Sequence, residues 1–168
     1  MFSNCTALTT APTLSATTLA DYCYDSMFYK CTSLTTAPDL PATTLAKNCY
    51  WGMFRECSSL TTVQNVLPAT TLTEYCYCLM FDSCTSLTTA PELPATTLVG
   101  YCYKNMFYGC NNLNQVKCLA TDISANECTY YWLYGVSQTG TFTKNSSATD
   151  WEIGYSGIPS DWTVKEAL

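Results

Sequence analysis

The chain has 168 residues, 48% of them hydrophobic and 14% aromatic, ample for one continuous core. Thirteen acidic against seven basic residues leave a net charge of −6 with no lysine or arginine cluster, which argues against nucleic acid and anionic lipid as partners. The absence of histidine removes the ordinary catalytic triad, and no apolar run reaches the roughly 20 residues that a membrane-spanning helix needs.

The first residues, Met1-Phe2-Ser3-Asn4-Cys5, read as the last turn of a repeat, with neither an export signal nor an end cap before them. They suggest either a fragment of a longer exported protein or an intracellular chain with a frayed first coil. Four near-copies follow: LSATTLADYCYDSMFYKCTSL from Leu14, LPATTLAKNCYWGMFRECSSL from Leu40, LPATTLTEYCYCLMFDSCTSL from Leu67 and LPATTLVGYCYKNMFYGCNNL from Leu93. Met-Phe pairs at Met1, Met27, Met53, Met80 and Met106 set a step of 26 residues, once 27. The extra residue lies in VQNVLP, Val63 to Pro68, and marks a loop.

Within a unit, Thr44 to Cys57 is predicted as a helix of about 14 residues and about 21 Å. Leu45, Cys49, Met53 and Cys57 stand four apart, with Tyr50 and Phe54 beside them, and Pro-Ala-Thr-Thr supplies a start. Ser59 to Val63 and its SLTTAP equivalents suit a brief strand, ended by proline in three of the four units. One strand and one helix cannot bury both faces alone, so the units are expected to stack. Strands about 4.8 Å apart and helices about 8 to 10 Å apart would bend the stack, with its strands on the concave side.

These words, MFxxCxxLTTAP followed by TTLxxxCYxxMF, resemble the BspA-type leucine-rich repeats of surface proteins in gut Bacteroides and their relatives, over Met1 to about Leu113 and more weakly to Gly135. The expected fold is α/β: a curved right-handed leucine-rich-repeat solenoid over 1–135 with a last, degenerate repeat. A small β-rich capping segment is expected over 136–168. The resemblance implies a location at the cell surface or outside the cell.

Twelve cysteines include two ladders, Cys5, Cys31, Cys57, Cys84, Cys110 and Cys23, Cys49, Cys76, Cys102, Cys128. Cysteine packs as a small hydrophobe, so both ladders are expected to be free thiols in the core, with Cys118 as core filler. Cys78 replaces Asp25, Trp51 and Lys104 of the other copies and is predicted as an exposed thiol. Without histidine or a CxxC pair, no metal and no cofactor are expected.

From Asn111 the repeat degrades, with Trp132-Leu133 where Met-Phe would stand. Strands are predicted at Thr141 to Thr143 and Trp162 to Val164, covering the last coil. Trp151, Tyr155 and Trp162 fit either that covering role or stacking on a sugar. Serines recur as repeat letters rather than singly, so no nucleophile stands out and no enzyme is expected.

The candidate binding residues are Tyr22, Tyr29, Trp51, Tyr75, Tyr101 and Tyr108 on the outer face, and Asp39 and Glu92 beside the threonine pairs Thr9-Thr10, Thr35-Thr36, Thr61-Thr62 and Thr88-Thr89. The reading of function is a non-enzymatic recognition or adhesion module for a protein or glycan at a cell surface. The alternative is a stalk or spacer in a larger surface or phage-fibre protein. A monomer is expected, with end-to-end or Cys78-linked pairing as the other states.

Overall fold

A computed structural model of the chain describes residues 1–149 and 151–167. Among these there is no helix, and there are three short strands: β1 (Gln115–Cys118), β2 (Gly140–Asn145) and β3 (Trp162–Ala167). The α/β assignment therefore falls, and with it the leucine-rich-repeat solenoid carrying a helix in each repeat. The segment predicted as helix, Thr44 to Cys57, is a run of turns.

Backbone bonding shows what replaces it. The N–H groups of Cys23, Asp25, Met27, Tyr29 and Cys31 donate to carbonyls three residues back, at 3.0 to 3.3 Å. The alternate N–H groups, of Tyr22, Tyr24, Ser26, Phe28 and Lys30, leave the unit and donate to carbonyls of Lys47, Cys49, Trp51, Met53 and Arg55 in the next, at 2.8 to 3.0 Å. Every fourth residue has a left-handed φ: 59°, 51° and 57° at Tyr22, Ser26 and Lys30, then 54°, 56° and 59° at Asn48, Gly52 and Glu56. A type II turn needs that φ at its third residue. Each repeat thus forms a wall of linked turns with a four-residue period.

Two physical facts exclude a helix here. A row at strict intervals of four, such as Leu45, Cys49, Met53 and Cys57, drifts about 120° around an α-helix but stays in line on four-residue turns. Phe2, Phe28, Phe54, Phe81 and Phe107 also form one column with ring centroids 5.5 to 5.6 Å apart and planes within 9° of parallel. Packed helices need about 8 to 10 Å, so the repeats stack too closely to contain them. The bend expected from unequal spacing loses its cause.

A second column, Tyr24, Tyr50, Tyr77 and Tyr103, has spacings of 5.6 to 6.1 Å. It continues through Trp132 and Trp151, at 6.3 and 5.2 Å. Trp132 is fully buried where Thr129, the small counterpart of Tyr103, leaves room.

Opposite the wall, the expected strand shrinks to isolated parallel bridges, Thr10 to Thr36 to Thr62 and Thr18 to Thr44. The extra residue after Val63 displaces this pairing to Val66 with Glu92, and Thr89 with Gln115 follows. Beyond the repeat words, β1, β2 and β3 form one parallel sheet in that order, with Val116, Phe142 and Val164 in register. This sheet spans the expected boundary at Gly135. Trp162, buried, donates its Nε1 to the Ser137 carbonyl at 2.9 Å, and half-buried Trp151 donates to the Ala120 carbonyl at 3.2 Å. Both indoles lie over the end of the core.

The ladder cysteines from Cys31 and Cys49 onward are buried free thiols, but Cys5 and Cys23 are exposed. Those two lie in the outermost coil of the described residues, at the open side of the stack. The Cys31, Cys57, Cys84 and Cys110 thiols donate to the carbonyls of Phe2, Phe28, Phe54 and Phe81 at 3.0 to 3.1 Å, so each thiol also satisfies a buried carbonyl of the previous coil. Cys78, predicted as exposed, is only 3% exposed. Trp51 and Lys104, its counterparts on the two adjoining coils, both interact with the thiol. Burial pushes it up to about 12, which removes the basis for a Cys78-linked dimer. Cys118 is buried completely.

Candidate functional site

The last wall, Glu127 to Gly135, departs from its predecessors in what it presents outward. Tyr130, Tyr131 and Tyr134 occupy the positions of Lys104, Asn105 and Tyr108. Tyr134 stacks on Tyr108 at 5.5 Å, and Tyr131 meets Tyr134 edge-on at 5.2 Å and Tyr130 at 4.3 Å. Tyr131 has a left-handed φ of 53°, which holds it on the outer side of the turn. A hydrogen bond with Tyr130 pushes the Tyr131 hydroxyl above its ordinary value.

Tyr155 joins this group from the following segment. A compact turn carries it: Gly154 N–H donates to the Ile158 carbonyl at 3.0 Å, Ile158 N–H to Glu152 at 2.8 Å and Gly157 N–H to Gly154 at 3.1 Å. Gly157 is required there, because a Cβ at that position would lie 1.8 Å from the Glu152 carbonyl oxygen. The turn is fastened to the last wall by Trp132 Nε1, which donates to the Gly157 carbonyl at 2.7 Å, and by Thr129 Oγ1, which donates to Ser156 at 2.6 Å. Tyr155 then sits 5.5 Å from Tyr131 and 5.8 Å from Tyr134, tilted about 50° to each. It remains 67% exposed and Tyr134 44%.

Beside these rings lies a cleft of about 270 Å³. Its rim carries Tyr134, Ser137, Gln138, Tyr155, Ser160 and Asp161. Asp161 is the one charged residue of the lining among the described residues. Among the described residues no group of three histidine, cysteine, aspartate or glutamate side chains is placed to hold a metal ion.

Of the residues predicted to bind, only Tyr108 belongs to this patch. Tyr75 and Tyr101 stack face to face at 4.5 Å and so cover each other, with Lys47 and Lys104 alongside and Asn126 Nδ2 donating to the Tyr101 hydroxyl at 2.6 Å. Tyr29 is engaged in a local network: its hydroxyl donates to Glu56 at 3.1 Å and Arg55 lies over its ring. Arg55 in turn pairs with buried Asp82 at 2.8 Å. Tyr22 is exposed and Trp51 half-buried on the outer wall. Glu92 pairs with Lys117 at 2.9 Å, while Asp39 is exposed on a different coil.

No family model, curated protein or solved structure matches the chain. The patch is therefore read from its own geometry. Tyr130, Tyr131 and Tyr134 escape sequence reasoning because ECTYYWLYG reads as a decayed repeat word. Three tyrosines within five residues, in a slot where the preceding copy places Lys104, Asn105 and Tyr108 and no other copy has more than one tyrosine, are the available signal.

Proposed function

We propose that the chain is a non-enzymatic recognition or adhesion module that binds a protein or glycan at a cell surface. The observation that supports this is the group of five contacting tyrosines, Tyr108, Tyr130, Tyr131, Tyr134 and Tyr155, beside an open cleft. Tyrosine offers a large rigid contact area and a polar tip at low entropic cost, and such residues dominate binding energy where they cluster. A spacer has no use for an exposed aromatic group at one end. The surface location rests on the resemblance of the repeat words to BspA-type proteins.

Retention of the purified chain on a panel of immobilised extracellular proteins and neutral glycans tests the proposal. The expected result is retention on at least one member, weakened about tenfold or more by Tyr134→Ser with Tyr155→Ser and unaffected by Tyr22→Ser with Tyr75→Ser. Retention on no member, or equal retention by both double variants, would favour the spacer reading instead.

A further inference from the structure

We infer that the cleft beside Tyr155 takes a single neutral pyranose unit, the exposed end or a side branch of a glycan. This rests on the recognition reading above and names its ligand class. A pyranose has one face of C–H groups and a rim of hydroxyls, and it asks for a flat apolar surface with hydrogen-bonding side chains at its margin. The cleft supplies both. Tyr155 is 67% exposed, so most of its ring stays open to a ligand, while Tyr131 and Tyr134 flank it at 5.5 and 5.8 Å.

The margin carries Gln138, Ser160 and Asp161, with Ser160 Oγ 3.4 Å from Asp161 Oδ2. An amide and a carboxylate can each bond two neighbouring hydroxyls, the carboxylate as acceptor and the amide as donor and acceptor. The volume, about 270 Å³, lies just below the roughly 300 Å³ at which pockets for drug-sized ligands begin, so it suits one ring rather than an extended chain.

Charge narrows the class further. With Asp161 as the one charged lining residue among the described residues, on a chain of net charge −6, sialic and uronic acid ends are repelled. An extended peptide is disfavoured as well. Peptides that add to a sheet need a free strand edge, and none of β1, β2 or β3 lines this cleft.

Saturation-transfer NMR with the intact chain, irradiating aromatic protons, tests this with methyl glucoside, methyl galactoside, methyl mannoside, N-acetylglucosamine and 3′-sialyllactose at millimolar concentration. Transfer to the ring C–H protons of at least one neutral sugar is expected, with none to the sialic acid ring. Tyr155→Ala should abolish the transfer and Asp161→Asn should weaken it, while the thermal midpoint of each variant stays near that of the parent. Absence of transfer to every neutral sugar, or transfer unchanged in Tyr155→Ala, overturns the inference. If sugars fail while the Tyr134→Ser, Tyr155→Ser variant still loses retention on an immobilised protein, the sugar inference alone is wrong. If that retention is also unaffected, the recognition reading fails with it.

Discussion

At the scale of single residues, the thiols carry the sharpest consequences. Burial raises Cys57, Cys78, Cys102, Cys110 and Cys118 from their usual 9.0 up to about 12, and Cys49 to about 11. In the unfolded chain these thiols ionise near their usual value, so between about pH 9 and about pH 12 the folded state holds protons that the unfolded state has lost. Stability is therefore complete below about pH 9 and falls as pH rises toward 12. Thermal midpoints measured across that range should decline steadily, and a flat profile would contradict the buried assignment. Maleimide labelling without reductant should modify Cys5 and Cys23 in the folded protein and all twelve cysteines after unfolding. The choice of Cys78 as the reactive thiol failed because comparing copies shows which positions vary, and a varying position is not always an open one. The side chains on the adjoining coils decide that.

At the scale of the element, the wall of turns depends on left-handed backbone at residues that resist it. A side chain other than glycine costs roughly 1 to 2 kcal/mol in that region, and Leu79 adopts it at φ 58°. Leu79→Gly should therefore leave the fold intact and change stability little or raise it by up to about 1 kcal/mol in a denaturant titration, since glycine's freedom in the unfolded chain offsets part of the relief. Gly109→Val should lower stability by more than that. Its φ is 69°, a Cβ there would lie 3.3 Å from Ser83 Oγ, and β-branching adds strain. Much of this was legible and was read with the wrong period. The apolar spacing of four is plain in Leu45, Cys49, Met53 and Cys57, and four residues per step suits two interlocked turns better than a helix of 3.6. The recurrence of small or polar residues at Ser26, Gly52 and Asn105, all left-handed, was the clue to turns. Tyr22, Tyr75 and Leu79 hid it, because bulky side chains are rare there.

At the scale of the whole molecule, stability comes from coil-to-coil contact. Phe54 is fully buried between Phe28 and Phe81, so Phe54→Ala should cost about 3 to 5 kcal/mol in a denaturant titration. Phe2, half-buried with a single stacked neighbour, should cost less than half as much. Equal costs would mean that the coils do not depend on their neighbours in this way. The repeat register could be read from the Met-Phe pairs alone. The patch could not, because Tyr108, Tyr134 and Tyr155 come from two coils and a turn that local patterns do not connect. The column from Tyr24 through Tyr103 to Trp132 and Trp151 has an optical consequence. Phenols absorb at shorter wavelength than indoles and pass excitation to them at close range, so light taken up along the stack drains to Trp51 beside Tyr50 and to Trp132 and Trp151 at its far end. Trp132, fully buried, also fastens the turn that carries Tyr155 through its bond to the Gly157 carbonyl, so its emission follows whether that turn stays seated on the last coil.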